Sequence, residues 1–351
     1  MTAPSVPQRG VVLASPGAVA LEEIEVAAPG PGEVLVRIEA TGVCHSDLHV
    51  IQEDGWGHPY PVLLGHEGAG TIEATGDGVD GLAQGDRVVI GWKTACGECA
   101  TCRRGAPRQC KRPPIAAGRL LREDGSVLTP VLRTGTFATH TVVPQVAAVK
   151  VPRELPVEQA CLLGCAVATG VMSVLETAKV WEGARVAIIG CGAVGLSVIQ
   201  GARVAAASEI HAIDLDERKL ETARTFGATH TGIDEAQRLD FVFDVVGRPE
   251  TLAHGLRMLG HAGTLVMIGL PQPGSEGIVP LDYAFDRRVR IVVSHAGDHL
   301  PAEDFPRLAE LAAEGRLNLA GMVTKRIALD DVGQAFEDME AGDVIRSVVV
   351  L

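Results

Sequence analysis

The most constraining stretch of the chain is RVAIIG, residues 185–190, which runs without a break into Cys191-Gly192-Ala193-Val194-Gly195. The apolar, β-branched run predicts a strand buried on both faces, and the G-x-G-x-x-G spacing turns it directly into a helix. Gly190 is needed for a tight turn, Gly192 for close approach of a phosphate, and Gly195 for packing of helix on strand. Free amides and the helix dipole at that start, the first turn including Val194, predict a dinucleotide pyrophosphate site. The next strand, EIHAID, ends at Asp214, about 20 residues further on. Its carboxylate suits both ribose hydroxyls of NAD and repels the extra phosphate of NADP. Arg218 and Lys219 lie just beyond, placed to contact the ribose or to relax that preference. A bare turn with Asp214 as a helix cap is the alternative, and the combined spacing argues against it.

Strand-like and helical patterns go on alternating: a helix from Glu217, FVFDVVG, a helix from Thr251, TLVMIG, and VRIVVS near Ser294. Apolar strands alternating with helices imply a parallel sheet covered on both faces, a Rossmann-type domain. The part before it is different. From Gly10 to Val43 apolar and polar residues alternate, and GTIEATG, DRVVIGW and FATHTVV continue this β-rich character to about Val143. Alanine-rich helical periodicity follows from Glu158, and the chain closes with helices around Phe305–Glu314 and Asp330–Ala341 and the strand SVVVL. A chain of 351 residues fits two domains. The expected division is α/β: a β-rich domain of residues 1–166 and 295–351, and a Rossmann domain of residues 167–294.

A formal net charge of -13 argues against general binding to nucleic acid or anionic membrane and leaves small molecules as partners. No apolar run reaches the roughly 20 residues that span a bilayer, and Met1–Gly10 lacks the basic start and apolar core of a signal peptide. A cytoplasmic chain with reduced thiols is expected, so its 8 cysteines read as metal ligands rather than as a disulfide framework.

Cys96, Cys99, Cys102 and Cys110 follow the spacing C-x2-C-x2-C-x7-C, four thiolates able to surround one tetrahedral ion in a closed, structural site. Buried free thiols or an iron–sulfur cluster are the other readings of such a run. Cys44 in GVCHSDLH, His66 in GHEGAG and Cys165 in LLGCAVATG are dispersed, each beside glycine, and each alone could be a structural residue.

Taken in order, GVCHSDLH, GHEGAG, the four-cysteine run, LLGCAVATG and GCGAVG resemble the zinc-containing medium-chain alcohol dehydrogenases over nearly the whole chain. The branch most similar holds the animal- and plant-type enzymes and the thiol-dependent formaldehyde dehydrogenases. This resemblance implies a GroES-like catalytic domain beside the Rossmann domain, and NAD with one catalytic and one structural zinc per chain. Two cysteines and a histidine are the known catalytic zinc ligands of alcohol dehydrogenases, which assigns Cys44, His66 and Cys165 to that metal. Glu67 matches a glutamate behind the metal, and Asp47 is placed to accept a hydrogen bond from His66 and fix its tautomer. Ser46 and His49 resemble a proton relay that runs through the cofactor ribose. Arg346 matches an arginine on the cofactor pyrophosphate, with His45 as a further phosphate contact. Trp92, with Trp56, Phe137, Leu270 and His295, would shape the substrate cavity. The segment Thr231–Asp240 is shorter than in most relatives.

The implied reaction is hydride transfer between NAD and a primary alcohol or aldehyde. The alternatives are oxidation of a formaldehyde–thiol adduct such as that of mycothiol, biosynthetic reduction of a larger carbonyl or unsaturated compound, and a non-catalytic structural role. Intact Cys44, His66, Cys165 and Ser46 argue against the last. The resemblance also implies a homodimer or homotetramer, joined through the outer strands around Ile278–Ser294.

Overall fold

The computed structural model describes residues 8–232 and 238–351. Residues 233–237 of the short segment Thr231–Asp240, and residues 1–7 of the N-terminal stretch Met1–Gly10, lie outside the described residues. The chain divides into two compact units: Met1–Cys165, Leu300–Glu314 and Leu319–Leu351 form one, Ala166–His299 and Gly315–Asn318 the other.

The first unit is β-rich. Its central strand, Glu33–Gly42, alternates burial along EVLVRIEATG, so Val34, Val36, Ile38 and Ala40 face the interior. It pairs antiparallel with Glu67–Thr75, His140–Pro144 and Arg346–Val350. Around it the strands run in the order Ala148–Lys150, Arg87–Ile90, Glu67–Thr75, Glu33–Gly42, Arg346–Val350 and Val323–Ile327. A second sheet carries Leu120–Arg122, Ala18–Val26, Gln8–Ser15, Val62–Leu63 and Thr129–Pro130. The glycine-containing stretch Lys111–Thr134 contains two short strands of this sheet, Leu120–Arg122 and Thr129–Pro130. They are too short to show a periodicity and depend on partners distant in sequence. The fully buried Phe137 packs edge-on against Phe336 in the core, ring centroids 6.3 Å apart.

The second unit holds six parallel strands in the spatial order His230–Thr231, Glu209–Ile213, Arg185–Ile189, Leu239–Asp244, Leu259–Met267 and Arg290–Val293. Numbered along the chain this is 3-2-1-4-5-6, the doubly wound order that places a ligand crevice at the carboxyl ends of the first and fourth strands. The register sets Ile189 beside both Ile213 and Asp244, so Gly190, Asp214 and Val245 all leave the sheet at one edge. The helix Glu217–Phe226 has clear local causes: Asp216 accepts from the Arg218 amide at 2.9 Å, Leu220, Ala223 and Phe226 form its buried stripe, and Gly227 ends it at φ 112°. Among the described residues no single helix is long and apolar enough to cross a membrane.

Candidate active site

Cys44, His66, Glu67 and Cys165 come from three separated segments of the first unit. Cys44 precedes the helix His45–Gln52, His66 directly precedes the strand Glu67–Thr75 that Glu67 opens, and Cys165 follows the turn Cys161–Gly164. One ligand atom from each lies within 4.8 Å of all the others, and all four residues are buried. His66 Nε2 has no hydrogen-bond partner although the ring is wholly buried. Burying such an atom unsatisfied is costly, and two sulfurs beside it form the donor set of a soft divalent ion, so the residues fit a zinc ion. Asp47 is also wholly buried. Its Oδ1 accepts from the Gly65 amide at 2.8 Å, and its Oδ2 lies 3.1 Å from His66 Nδ1, outside good hydrogen-bond geometry.

The charges of this pocket are strongly coupled. A hydrogen bond from Cys165 pulls Cys44 well below the ordinary thiol range, with help from Arg346 and His66 against the cost of burial. The same bond, with burial, pushes Cys165 well up. Burial alone would lower the His66 imidazole, but Asp47 and Cys44 together raise it well above its usual value. Burial pushes Glu67 up to about 7, against the pull of Arg346. Glu67 fits only because Gly42 faces it: a Cβ there would sit 2.1 Å from Glu67 Oε2.

Arg346 pairs with a carboxylate of its own unit. It is 4% exposed, with Nη1 donating to the Val43 carbonyl at 2.8 Å and Nη2 to Glu67 Oε1 at 2.9 Å. Its Nε has no hydrogen-bond partner. Ser46 Oγ lies 3.8 Å from Cys44 Sγ, and His49 Nδ1 lies 2.8 Å from Glu53 Oε1. No hydrogen bond joins Ser46 to His49 among the described residues. His45 is exposed at the first position of its helix.

The second cluster is local. The sulfurs of Cys96, Cys99, Cys102 and Cys110 also lie mutually within 4.8 Å. The separations are 4.0 Å for Cys96–Cys102, 3.5 Å for Cys99–Cys102 and 3.6 Å for Cys96–Cys110. A tetrahedral ion with zinc–sulfur bonds of about 2.3 Å sets its sulfurs about 3.8 Å apart, so the lobe fits one zinc. Cysteines that ligate different irons of a cluster spread wider than this. Amides of Cys96, Cys99, Cys102 and Arg112 point at these sulfurs, and those of Cys102 and Lys111 help lower the Cys99 thiol to about 6. Arg108 ties the lobe to the unit by pairing with Glu303 at 2.7 Å and with the buried Asp304.

In the second unit, a Cβ on Gly195 would meet the Gly190 carbonyl oxygen at 1.9 Å, whereas one on Gly192 would meet nothing within 4 Å. The first glycine is therefore demanded by packing, while the second leaves open space before the helix Ala193–Val204. Asp214 Oδ2 accepts from the Cys191 amide at 2.8 Å, which ties the acidic residue to the glycine turn. Val194 and Lys219 are partly buried at the starts of the two following helices.

Sequence reasoning missed Asp244. This buried carboxylate closes the turn after its strand by accepting from the Val246 and Gly247 amides, each at 3.0 Å, and from the Thr251 hydroxyl at 2.9 Å. The FVFDVVG pattern contained a signal, since a charged residue at the end of an apolar strand needs such partners. Among the residues expected around a substrate, Trp56 and Trp92 are partly buried in the first unit, Phe137 is wholly buried there, and Leu270 and His295 belong to the second unit.

Residues 30–153 match the alcohol dehydrogenase GroES-like domain, and residues 193–314 match the zinc-binding dehydrogenase domain. The chain is 35% identical to an S-(hydroxymethyl)glutathione dehydrogenase of Escherichia coli, covering 97% of this chain and 99% of that one. The benzyl alcohol dehydrogenase of Acinetobacter calcoaceticus is 30% identical and superposes with a TM-score of 0.91, covering 99% of this chain and 100% of that one. A Sinorhizobium meliloti 1021 protein assigned as a zinc-binding dehydrogenase, solved with NADP bound, is 25% identical at a TM-score of 0.85, covering 99% and 100%. Both domains in this order, with full-length likeness on either side, make the chain a member of the zinc-containing medium-chain alcohol dehydrogenase family.

Proposed function

We propose that the chain interconverts primary alcohols and aldehydes with NAD, using Cys44, His66 and Cys165 to hold a catalytic zinc and Cys96, Cys99, Cys102 and Cys110 to hold a structural one. The observation that carries this reading is the buried trio in which His66 Nε2 has no partner. When bound, zinc lowers the pKa of an alcohol oxygen and NAD takes up the hydride. Asp47 keeps the Nδ1 side of His66 engaged and so leaves Nε2 free to ligate. Glu67 and Arg346 form a buried ion pair behind the sulfurs, which offsets part of the thiolate charge. Ser46 Oγ takes the proton of the substrate hydroxyl, and His49, tethered to Glu53, delivers it to solvent. His45 assists at a cofactor phosphate.

Gly190, Gly192, Val194 and Gly195 hold the pyrophosphate, and Asp214, with Lys219 beside it, reads the ribose. NAD is favoured because the Asp214 carboxylate repels a ribose phosphate. Trp56 and Trp92 bound the substrate.

The test is absorbance of reduced nicotinamide with a panel of alcohols, on protein of measured zinc content. Two zinc ions per chain and turnover abolished by chelation are expected; zinc-replete protein that binds NAD and oxidises nothing overturns the proposal. The likeness to S-(hydroxymethyl)glutathione dehydrogenases favours a second reading, oxidation of a formaldehyde–thiol adduct. Formaldehyde oxidation that strictly requires added thiol selects it.

We further propose a cytoplasmic homodimer or homotetramer. Ile278, Leu281, Phe285 and Val293 are 82%, 78%, 84% and 68% exposed around the outer strand Arg290–Val293, an apolar edge that a second copy would cover. A monomeric mass at micromolar concentration speaks against it.

A further inference from the structure

His58 joins two turns that their backbones would not adopt unaided. The first, Asp54–Gly57, carries four successive left-handed residues, Asp54, Gly55, Trp56 and Gly57, at φ 48°, 72°, 50° and 76°. The second holds Leu132 and Arg133 at φ 46° and 68°. Asp54, Trp56, Leu132 and Arg133 all carry a Cβ, so each is strained in this region and needs its surroundings to hold it. The His58 ring supplies one bond to each turn: Nδ1 lies 3.0 Å from the Gly55 carbonyl oxygen, and Nε2 lies 3.2 Å from the Leu132 amide nitrogen. A backbone amide only donates and a carbonyl only accepts, so the two contacts together select the neutral ring with its proton on Nδ1.

Both turns adjoin segments that carry the buried trio. Asp54–Gly57 comes just after the helix His45–Gln52, which starts next to Cys44. The Trp56 ring centroid stands 6.4 Å from that of His49 on this helix. The second turn leads to Thr136, whose amide donates to the Gly65 carbonyl at 2.8 Å, and Gly65 directly precedes His66. Trp56 and Leu132 are partly buried and pack against the same apolar cluster. One imidazole therefore ties the segment after Cys44 to the segment anchored beside His66.

We propose that His58 is a positioning residue for substrate selection: it locks the two turns together and so fixes Trp56 as a rigid wall that discriminates among alcohols by bulk. This rests on the dehydrogenase reading above, in which Trp56 bounds the substrate, and adds the group that sets that wall.

The test compares 1-butanol with cyclohexylmethanol on the zinc-replete enzyme with NAD, for wild type, His58→Ala and His58→Gln. The Gln side chain keeps an oxygen that can accept from the Leu132 amide and an N–H that can donate. His58→Ala is expected to move the ratio of kcat/KM between the two alcohols about tenfold toward unity, mainly through KM, with most of the discrimination recovered in His58→Gln. A wild-type ratio near one, an unchanged ratio, or equal slowing on both alcohols with loss of zinc overturns the proposal in favour of a purely structural histidine. A second readout needs no turnover. In a Trp92→Phe, Trp181→Phe background, Trp56 is the only tryptophan, and its quenching by acrylamide is expected to rise in His58→Ala and to return in His58→Gln. Should the zinc-replete wild type oxidise no alcohol, the dehydrogenase reading falls while quenching that follows this pattern keeps the pinned wall; equal quenching in all three forms sinks the pinned wall alone.

Discussion

The two metal-ligand clusters of the first unit share a donor chemistry and differ in how the chain assembles them. The four-cysteine lobe draws its ligands from 15 consecutive residues, 96–110, leaves them partly exposed, and organises them by amides of its own loop. The buried trio draws Cys44, His66 and Cys165 from segments far apart in sequence and depends on Asp47, Glu67, Arg346 and Gly42 to make room and balance charge. A local cluster can form wherever its loop closes. A dispersed one exists only when the whole unit is folded, which also lets it leave a ligand atom such as His66 Nε2 without a protein partner.

That contrast can be broken most directly at Cys44. Cys44→Ala is expected to lower turnover on the order of a thousandfold or more while retaining one zinc per chain. Loss of both ions, read by metal analysis, would mean the clusters are not independent. Arg346→Met should cost about 3–5 kcal/mol, because it leaves the Glu67 carboxylate buried and unpaired. At about 2–4 °C per kcal/mol, a Tm fall of roughly 6–20 °C in a thermal scan follows. An unshifted Tm would show that Glu67 takes up a proton and needs no cation. Asp47→Asn should weaken zinc retention and activity about 10- to 100-fold, and competition with a chelator measures it. The lobe gives the smallest catalytic effect: Cys99→Ser is expected to remove one zinc and lower Tm by several degrees, with kcat of the surviving folded fraction within about threefold. A large kcat loss in that fraction would show that the lobe shapes the reaction site.

Much of this was legible in the order of residues. The strand-to-glycine junction at Gly190 and the acidic end of the next strand predicted the parallel sheet, because backbone sterics and burial act over a few neighbouring residues. The four-cysteine spacing was legible for the same reason. The buried trio was not: each member beside its glycine read equally well as a structural residue, and only the likeness to a known family joined them. The Arg346–Glu67 pair was not legible because it depends on the registered pairing of Arg346–Val350 with Glu33–Gly42, more than 300 residues away in sequence.

By itself, then, the sequence determined the class of fold, the phosphate loop and the local thiolate lobe, all of which depend on interactions between near neighbours. Only the tertiary structure decided that Cys44, His66, Glu67 and Cys165 converge, and that Arg346 meets the Glu67 carboxylate beside them. Those outcomes depend on strand register and on the energy of burying charge, quantities that exist only once distant segments have been brought together.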